Sequence, residues 1–219
     1  MVIKMEMKFV VMIEKLKVIA RNVISCDDPS HDFEHACRVL SNALYLQSVE
    51  GGDLDVIIPA ALFHDAIVYP KNDPRTKLSS KESSELARGV LLGLDWYDAS
   101  KVDLVVRAIY EHSFSKGIVS DLIESQIIQD ADRLEITGAM AIMRVFCSSG
   151  QMSRSFYFSD DPFCENRVPE GKKYALDFFY GRMLGVGDKM NTKSAKELAR
   201  GRVEYLHGFI EQIKLELEI

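Results

Sequence analysis

The sequence is poor in cysteine, and its cysteines do not form pairs. Only 4 occur among 219 residues, and they lie far apart without a CxxC spacing: Cys26, Cys37, Cys147 and Cys164. A zinc ribbon or a thioredoxin-type redox site needs closely spaced cysteines, so the sequence supports neither. We interpret the four as reduced thiols of a cytoplasmic protein, mostly filling the core.

Long apolar runs and an excess of basic charge are also missing. No apolar stretch reaches the length of a membrane span, and charged residues such as Lys8 and Glu14 interrupt the N-terminal segment, unlike in a signal peptide. The formal net charge is −6, which offers no basic surface for nucleic acid. We therefore expect neither a membrane nor a nucleic acid as a partner. An acidic protein that handles phosphates would need metal cations to offset the repulsion.

Strand-like alternation is nowhere sustained, whereas helical spacing of apolar residues runs through most of the chain. With 47% hydrophobic and 27% charged residues, the composition is that of a globular protein. We predict an all-α, single-domain helical bundle over residues 1–219, with a core at about 26–146 and C-terminal helices at about 172–217. Helices are predicted over residues 9–23, 32–49, 57–68, about 80–93, 100–112, 126–146, 174–184 and 194–217.

Breaks between these helices follow from local signals. Gly51 and Gly52 end the second helix, and Pro70 ends the third. Residues 71–80 are predicted to form a polar loop, after which Ser79 or Ser80 could cap the next helix. Residues 148–171 are polar and aromatic, which predicts a long surface loop. The terminal helices could each supply the face of a homodimer.

The doublet His64-Asp65 lies in the most apolar predicted helix, residues 57–68. A buried carboxylate without a partner would be costly there. A divalent cation removes that cost, because imidazole and carboxylate both bind metals and the positive charge balances the anion. The alternative is a helix end at which Asp65 pairs with an arginine and His64 bonds to the backbone.

Two further segments place polar side chains on apolar helices. His35 shares a helical face with Val39, Ala43 and Leu46, so it points toward the core, either as a metal ligand or as a satisfied core histidine. Asp130 and Asp132 lie among apolar residues of the predicted helix 126–146, and again either a cation or the helix dipole could accommodate them.

Three short sequence segments, in the order in which they follow one another along the chain, resemble motifs of the HD-domain metal-dependent phosphohydrolases: residues 35–39 (HACRV), 61–65 (ALFHD) and 130–134 (DADRL). A small bacterial-type subgroup associated with nucleotide pyrophosphate hydrolysis is more similar still, on residues 30–32 (SHD), 112–115 (HSFS) and 189–192 (KMNT). The resemblance spans nearly the whole chain. It implies an HD-type fold and the metal ligands His35, His64, Asp65 and Asp132, with Asp130 beside the metal.

The resemblance implies hydrolysis of a phosphate ester or anhydride by a metal-activated water. The expected substrate class is a nucleotide. Two histidine and two aspartate ligands suit Mn²⁺, Fe²⁺, Ni²⁺, Co²⁺ or Zn²⁺ better than Mg²⁺, which prefers oxygen ligands. Candidate donors to the substrate phosphate are Arg38, His112 and Arg144, although Arg38 could instead pair with an aspartate. His207 is expected to be a surface residue.

The source of a general acid or base stays open at this level. Some HD enzymes carry an acidic residue one turn beyond the doublet histidine, where this chain has Val68. Asp130, His112 or Glu135 could replace it, or a metal-bound hydroxide held by ligands such as Asp65 could suffice without a general acid or base. His31 and Asp32 form another His-Asp doublet, but it follows a Pro-Ser helix start, so we predict a helix-start role or one in orienting His35 or Asp132.

Three other functions are compatible with the same residues. One is a phosphomonoesterase that acts on nucleoside monophosphates. Another is a non-catalytic, metal-containing module that binds a nucleotide or second messenger. The third is an HD-fold oxygenase, which needs two irons and more histidine ligands, so that His31 and His112 would both have to bind metal.

Overall fold

Regular secondary structure in the computed structural model, which describes residues 6–24, 28–70 and 73–217, is helical, with no strand in these ranges. The helices are α1 (Met7–Val23), α2 (Phe33–Glu50), α3 (Leu54–Phe63), α4 (Ser79–Leu92), α5 (Val102–Glu111), α6 (Ile123–Arg133), α7 (Gly138–Gln151), α8 (Ala175–Phe178) and α9 (Lys193–Leu217). The predicted all-α class is confirmed. None of these helices is both long and apolar enough to cross a bilayer.

The chain divides into two compact units, Met1–Asp132 and Arg133–Ile219. The single-domain organisation stays a prediction. In the first unit, α3 is the central helix, because it packs against α1, α2, α4 and α5. Every residue of α3 from Val56 to Phe63 is buried, as its uniformly apolar sequence requires. This central position brings the residues that follow α3 into the interior of the unit.

The third helix ends earlier than predicted. It stops at Phe63 rather than at Val68, so His64 and Asp65 begin the turn that follows the helix. One physical reason is local: the His64 ring donates from Nδ1 to the carbonyl of Ala61 at 2.8 Å, within the last turn. Ser83 then fixes the turn, since its hydroxyl accepts from the Ile67 N–H and donates to the Ile67 carbonyl.

The core of the second unit is built from α7, α8 and α9. Its buried side chains are Ala141, Val145, Ala175, Leu176, Phe179, Met183, Leu206 and Ile210. Phe146 and Phe209 pack against this cluster, and the Phe179 and Phe209 rings stack with centroids 5.7 Å apart. After α8, residues Phe179–Met183 form a π-helical turn, so the segment predicted as one helix changes its winding.

The continuous helix predicted over residues 126–146 is wrong. The structure has α6, a 3-10 turn at Leu134–Ile136, an extended Thr137, and then α7 beginning at Gly138. Gly138 has a φ of +69°, which side-chain-bearing residues rarely adopt. A Cβ atom there would lie 3.3 Å from the Arg202 Cβ. Glycine at this position therefore permits the positive φ and the close approach of Arg202 at the start of α7.

Gly138→Ala is therefore expected to lower the free energy of unfolding by roughly 1–3 kcal/mol, because a strained φ is added to a close contact. Thermal and urea unfolding would measure it. The matched control is Gly208→Ala in α9, where nothing lies within 4 Å of the added Cβ. That change should be neutral or stabilising by up to about 1 kcal/mol. Equal effects of the two substitutions would contradict the assigned role of Gly138.

Smaller differences concern caps, loops and thiols. Neither Ser79 nor Ser80 caps α4, because a 3-10 turn, Pro74–Leu78, runs directly into it, with the Asp73 side chain accepting at its start. The long loop begins only after Gln151. The predicted buried role of the cysteines is only partly met: Cys37, Cys147 and Cys164 are free and half-buried, while Cys26 lies outside the described residues.

Candidate metal centre

Three helices of the first unit place polar side chains of one site at or near their ends. His35 lies in the first turn of α2, where the capping Asp32 carboxylate accepts from its backbone N–H at 2.9 Å. His64 and Asp65 follow α3, and Asp132 lies near the end of α6. Both histidines are fully buried. The inward orientation predicted for His35 is confirmed.

Four donor atoms of these side chains face one another. The Nε2 atoms of His35 and His64 are 3.2 Å apart. The His35 Nε2 lies 3.5 Å from Asp132 Oδ1 and 3.9 Å from Asp65 Oδ2. The His64 Nε2 lies 3.5 Å from Asp65 Oδ2 and 3.9 Å from Asp132 Oδ1. Ligands about 2.1 Å from one cation and roughly at right angles are separated by about 3 Å, so the cluster needs only slight contraction to hold a divalent metal.

The protonation states suit metal binding as well. Burial, as the largest cause, lowers the pKa of His64 to about 4, so its ring is neutral at pH 7. Because Nδ1 donates to the Ala61 carbonyl, Nε2 carries the lone pair that a metal ligand needs. The lone pairs of two unprotonated Nε2 atoms 3.2 Å apart, those of His35 and His64, repel each other unless a proton or a cation lies between them.

The two carboxylates are ionised although each is largely enclosed, with 18% of the Asp65 and 24% of the Asp132 side chain exposed. Burial alone would raise the pKa of Asp65, but its interactions with His64 and His112 hold that pKa well below its usual value. For Asp132, His35 and His64 overcome the effect of burial in the same way. The negative charge of these two carboxylates favours a divalent cation, which would balance it.

His112 joins this site at the end of α5. Its Nδ1 atom donates to the Ile109 carbonyl at 2.6 Å, and its Nε2 atom lies 3.4 Å from Asp65 Oδ1. The His64 and His112 rings meet edge to face with centroids 5.0 Å apart. Burial opposes protonation of His112, but its bond to Asp65 dominates and raises its pKa. His112 is thus placed to hold the outer oxygen of Asp65.

The other candidate residues are placed differently. Asp130 is fully buried, but helical geometry turns it about 200° from Asp132. Within the described residues, two groups of three donor atoms lie within 4.8 Å of one another, and Asp130 belongs to neither: His35, His64 and Asp132, and His64, Asp65 and His112. Arg38 is half-buried one turn after His35. Arg144 belongs to the second unit, where it donates to the Glu135 carbonyl. The roles of Asp130, Arg38 and Arg144 stay predictions.

Sequence reasoning missed one side chain that assembles the site. The Asn42 amide, almost fully buried, donates to the Ala131 carbonyl at 3.2 Å. It ties α2, which carries His35, to the residue directly before Asp132. The signal was present, because Asn42 lies seven residues after His35 and so falls on the same inward face of the helix.

Comparison with known proteins agrees with this geometry. The HD domain family model matches residues 32–137, a range that contains His35, His64, Asp65, His112 and Asp132. The Bacillus subtilis protein YpgQ is 28% identical over 205 residues, which cover 93% of each chain.

Solved structures of two relatives superpose over nearly the whole chain. The crystal structure of B. subtilis YpgQ in complex with ADP matches with a TM-score of 0.70 and 29% identity, covering 93% of this chain and 97% of that one. An HD-superfamily hydrolase from Bacillus thuringiensis matches with a TM-score of 0.69 and 28% identity, covering 96% and 98%. Residues 32–137 thus match the HD domain, and over nearly its whole length the chain is similar to an HD-superfamily hydrolase.

Proposed function

We propose that this chain hydrolyses a phosphate ester or anhydride of a nucleotide with a water activated by a divalent transition metal. The observation that carries the proposal is the convergence of His35, His64, Asp65 and Asp132. Each histidine Nε2 atom lies 3.2–3.9 Å from the other and from one oxygen of each aspartate. When bound, such a cation lowers the pKa of a coordinated water and offsets charge on phosphoryl oxygens.

The residues of the site orient the ligands and supply the charge that retains the cation. The Ala61 carbonyl fixes the His64 ring, and His112 holds the outer oxygen of Asp65, so that both ligands are oriented before substrate arrives. Asp65 and Asp132 supply the anionic charge that retains the cation. The mixture of imidazole nitrogen and carboxylate oxygen favours Mn²⁺, Fe²⁺, Co²⁺, Ni²⁺ or Zn²⁺ over Mg²⁺.

A nucleotide is the substrate class best supported. YpgQ, which aligns with this chain over almost its full length, was crystallised with ADP. Residues 32–137 match the HD domain model. Phosphate binding by this acidic chain, of net charge −6, requires a cation between protein and ligand. Release of pyrophosphate from a nucleoside triphosphate and release of phosphate from a monophosphate are both compatible with this site, and the products distinguish them.

Removal of metal should abolish turnover and lower the melting temperature. The purified protein would be treated with chelator, reloaded singly with Mn²⁺, Co²⁺, Ni²⁺, Zn²⁺ or Mg²⁺, and assayed against a nucleotide panel for phosphate and pyrophosphate. A cation at 100 times its Kd stabilises the folded state by about 2.7 kcal/mol, so reloading should also raise the melting temperature by several degrees.

The same experiment separates the alternatives. Metal and nucleotide binding without turnover would replace the hydrolase with a non-catalytic binding module. Two metal ions per chain, measured by elemental analysis, would favour an HD-fold oxygenase over the hydrolase. If the protein took up no metal, the four-ligand assignment would fail together with the function.

A further inference from the structure

A second ordered histidine lies directly before α2. The Asp28 carboxylate accepts at Oδ1 from the Ser30 N–H (2.9 Å) and the Ser30 hydroxyl (2.6 Å). At Oδ2 it accepts from His31 Nδ1 at 2.9 Å. The Ser30 oxygen also lies 2.8 Å from this nitrogen, and its proton is already used on Asp28. Both neighbours of Nδ1 therefore act as acceptors, so Nδ1 carries the proton and the ring has one defined orientation.

This ring lies at the edge of the metal centre. The His31 and His35 rings meet edge to face, with centroids 5.5 Å apart and planes at 68°. The His31 side chain keeps 18% of its surface exposed, whereas His35 is fully buried. His31 thus lies beside one of the proposed ligands, with part of its side chain open to solvent.

We propose that His31, held by Asp28, contacts a phosphoryl oxygen of the nucleotide through its Nε2 atom. This inference rests on the proposed function, since it names a substrate-contacting residue of the same site. The surrounding side chains Asp28, Asp65 and Asp132 are anionic, so a phosphate arriving at the metal needs donors on the solvent side. An imidazole fixed through Nδ1 presents Nε2 in a constant direction, and a hydrogen bond to a phosphate oxygen is charge-assisted. Asp28 supplies the orientation through its bond to Nδ1.

The test compares two amides that imitate different nitrogens of the ring. In His31→Gln the amide nitrogen can reach the position of Nε2, whereas in His31→Asn it reaches only that of Nδ1. His207→Gln serves as the matched control, because His207 is exposed on α9. Each metal-loaded protein would be measured for metal content, melting temperature, ADP affinity by calorimetry, and kcat and KM.

His31→Asn is expected to raise the ADP Kd and the KM about ten- to hundredfold, the worth of a hydrogen bond to a charged group. His31→Gln should lose less than about fivefold, and His207→Gln should match the wild type. Metal content should be equal in all four proteins. A purely helix-starting role predicts instead that both His31 variants lower the melting temperature and leave the ADP Kd unchanged.

Several results would overturn the inference. Equal ADP affinity in His31→Asn and the wild type excludes the contact, and loss of metal from both His31 variants would make His31 a residue that supports the ligands instead. If the wild type binds ADP but hydrolyses nothing, the proposed function fails while the ADP comparison still decides the role of His31. If the metal-loaded wild type neither binds ADP nor turns over a nucleotide, both are wrong.

Discussion

Asp65→Asn is expected to reduce kcat/KM by about a thousandfold or more, with little change in the fold. Asparagine keeps the shape of the side chain but removes the charge that faces His35 and His64 at 3.9 and 3.5 Å. Metal catalysis supplies several kcal/mol of transition-state stabilisation, and every 1.36 kcal/mol corresponds to a factor of ten in rate. Steady-state kinetics at saturating metal, with metal content measured in parallel, would determine the loss.

The matched control for this substitution is Asp95→Asn, at an exposed position outside the site. It should leave kcat/KM and metal content at wild-type values. Circular dichroism and metal-free melting curves would show whether Asp65→Asn folds. A folded Asp65→Asn protein that keeps more than a tenth of the wild-type kcat/KM with full metal occupancy would show that Asp65 is not a ligand required for catalysis.

Much of this site could be predicted because its residues conflict with their surroundings. His64 and Asp65 close an otherwise apolar helix, and Asp132 follows buried Ile127, Ile128 and Ala131. Such local conflicts mark functional sites, since folding alone would not retain them. Helical spacing then assigned an inward direction to His35. The His64 ring makes the backbone bond of the alternative interpretation, and it also directs Nε2 toward His35, so that its role as a metal ligand stays a prediction.

The sequence was less informative where long-range contacts decide the structure. The break at Gly138 has no proline and lies within apolar residues of helical spacing, so the local pattern favoured continuation. The close approach of Arg202, 64 residues later in the chain, is what makes a glycine necessary at this point. The 3-10 turn before α4 escaped prediction for a similar reason, because the residues around it, such as Ser79, are also typical of loops.

The loop after α7 was predicted only as a long polar segment, yet the structure gives it a defined centre. Arg167 donates to both oxygens of Asp177, the second at 2.6 Å, and its Nε donates to the Asp161 carbonyl. Its guanidinium lies over the rings of Phe158 and Tyr174, at 5.1 and 5.4 Å from their centroids. No short-range sequence pattern predicts a bond between Arg167 in this loop and Asp177, ten residues later in α8.

Asp177→Asn is expected to lower the free energy of unfolding by about 3 kcal/mol. The Asp177 side chain is fully buried, while Arg167 keeps 18% of its side chain exposed, which places the loss at the lower end of the range for broken buried ion pairs. For a chain of this size the melting temperature should fall by roughly 6–12 °C. Asp160→Asn, an exposed change in the same loop, should have almost no effect.

The pH dependence of this difference identifies its cause. Burial would raise the pKa of Asp177, but Arg167 and the Glu170 N–H outweigh it and hold the pKa below the usual 3.8. A carboxyl group with a depressed folded pKa stabilises the protein above its unfolded pKa, and that contribution disappears as the pH falls through the folded value. The gap in stability between wild type and Asp177→Asn should therefore be constant above about pH 5 and shrink at more acidic pH. A gap that stays constant down to pH 2 would mean that asparagine disturbs packing, whereas a shrinking gap assigns the stability of this loop to the charge of Asp177.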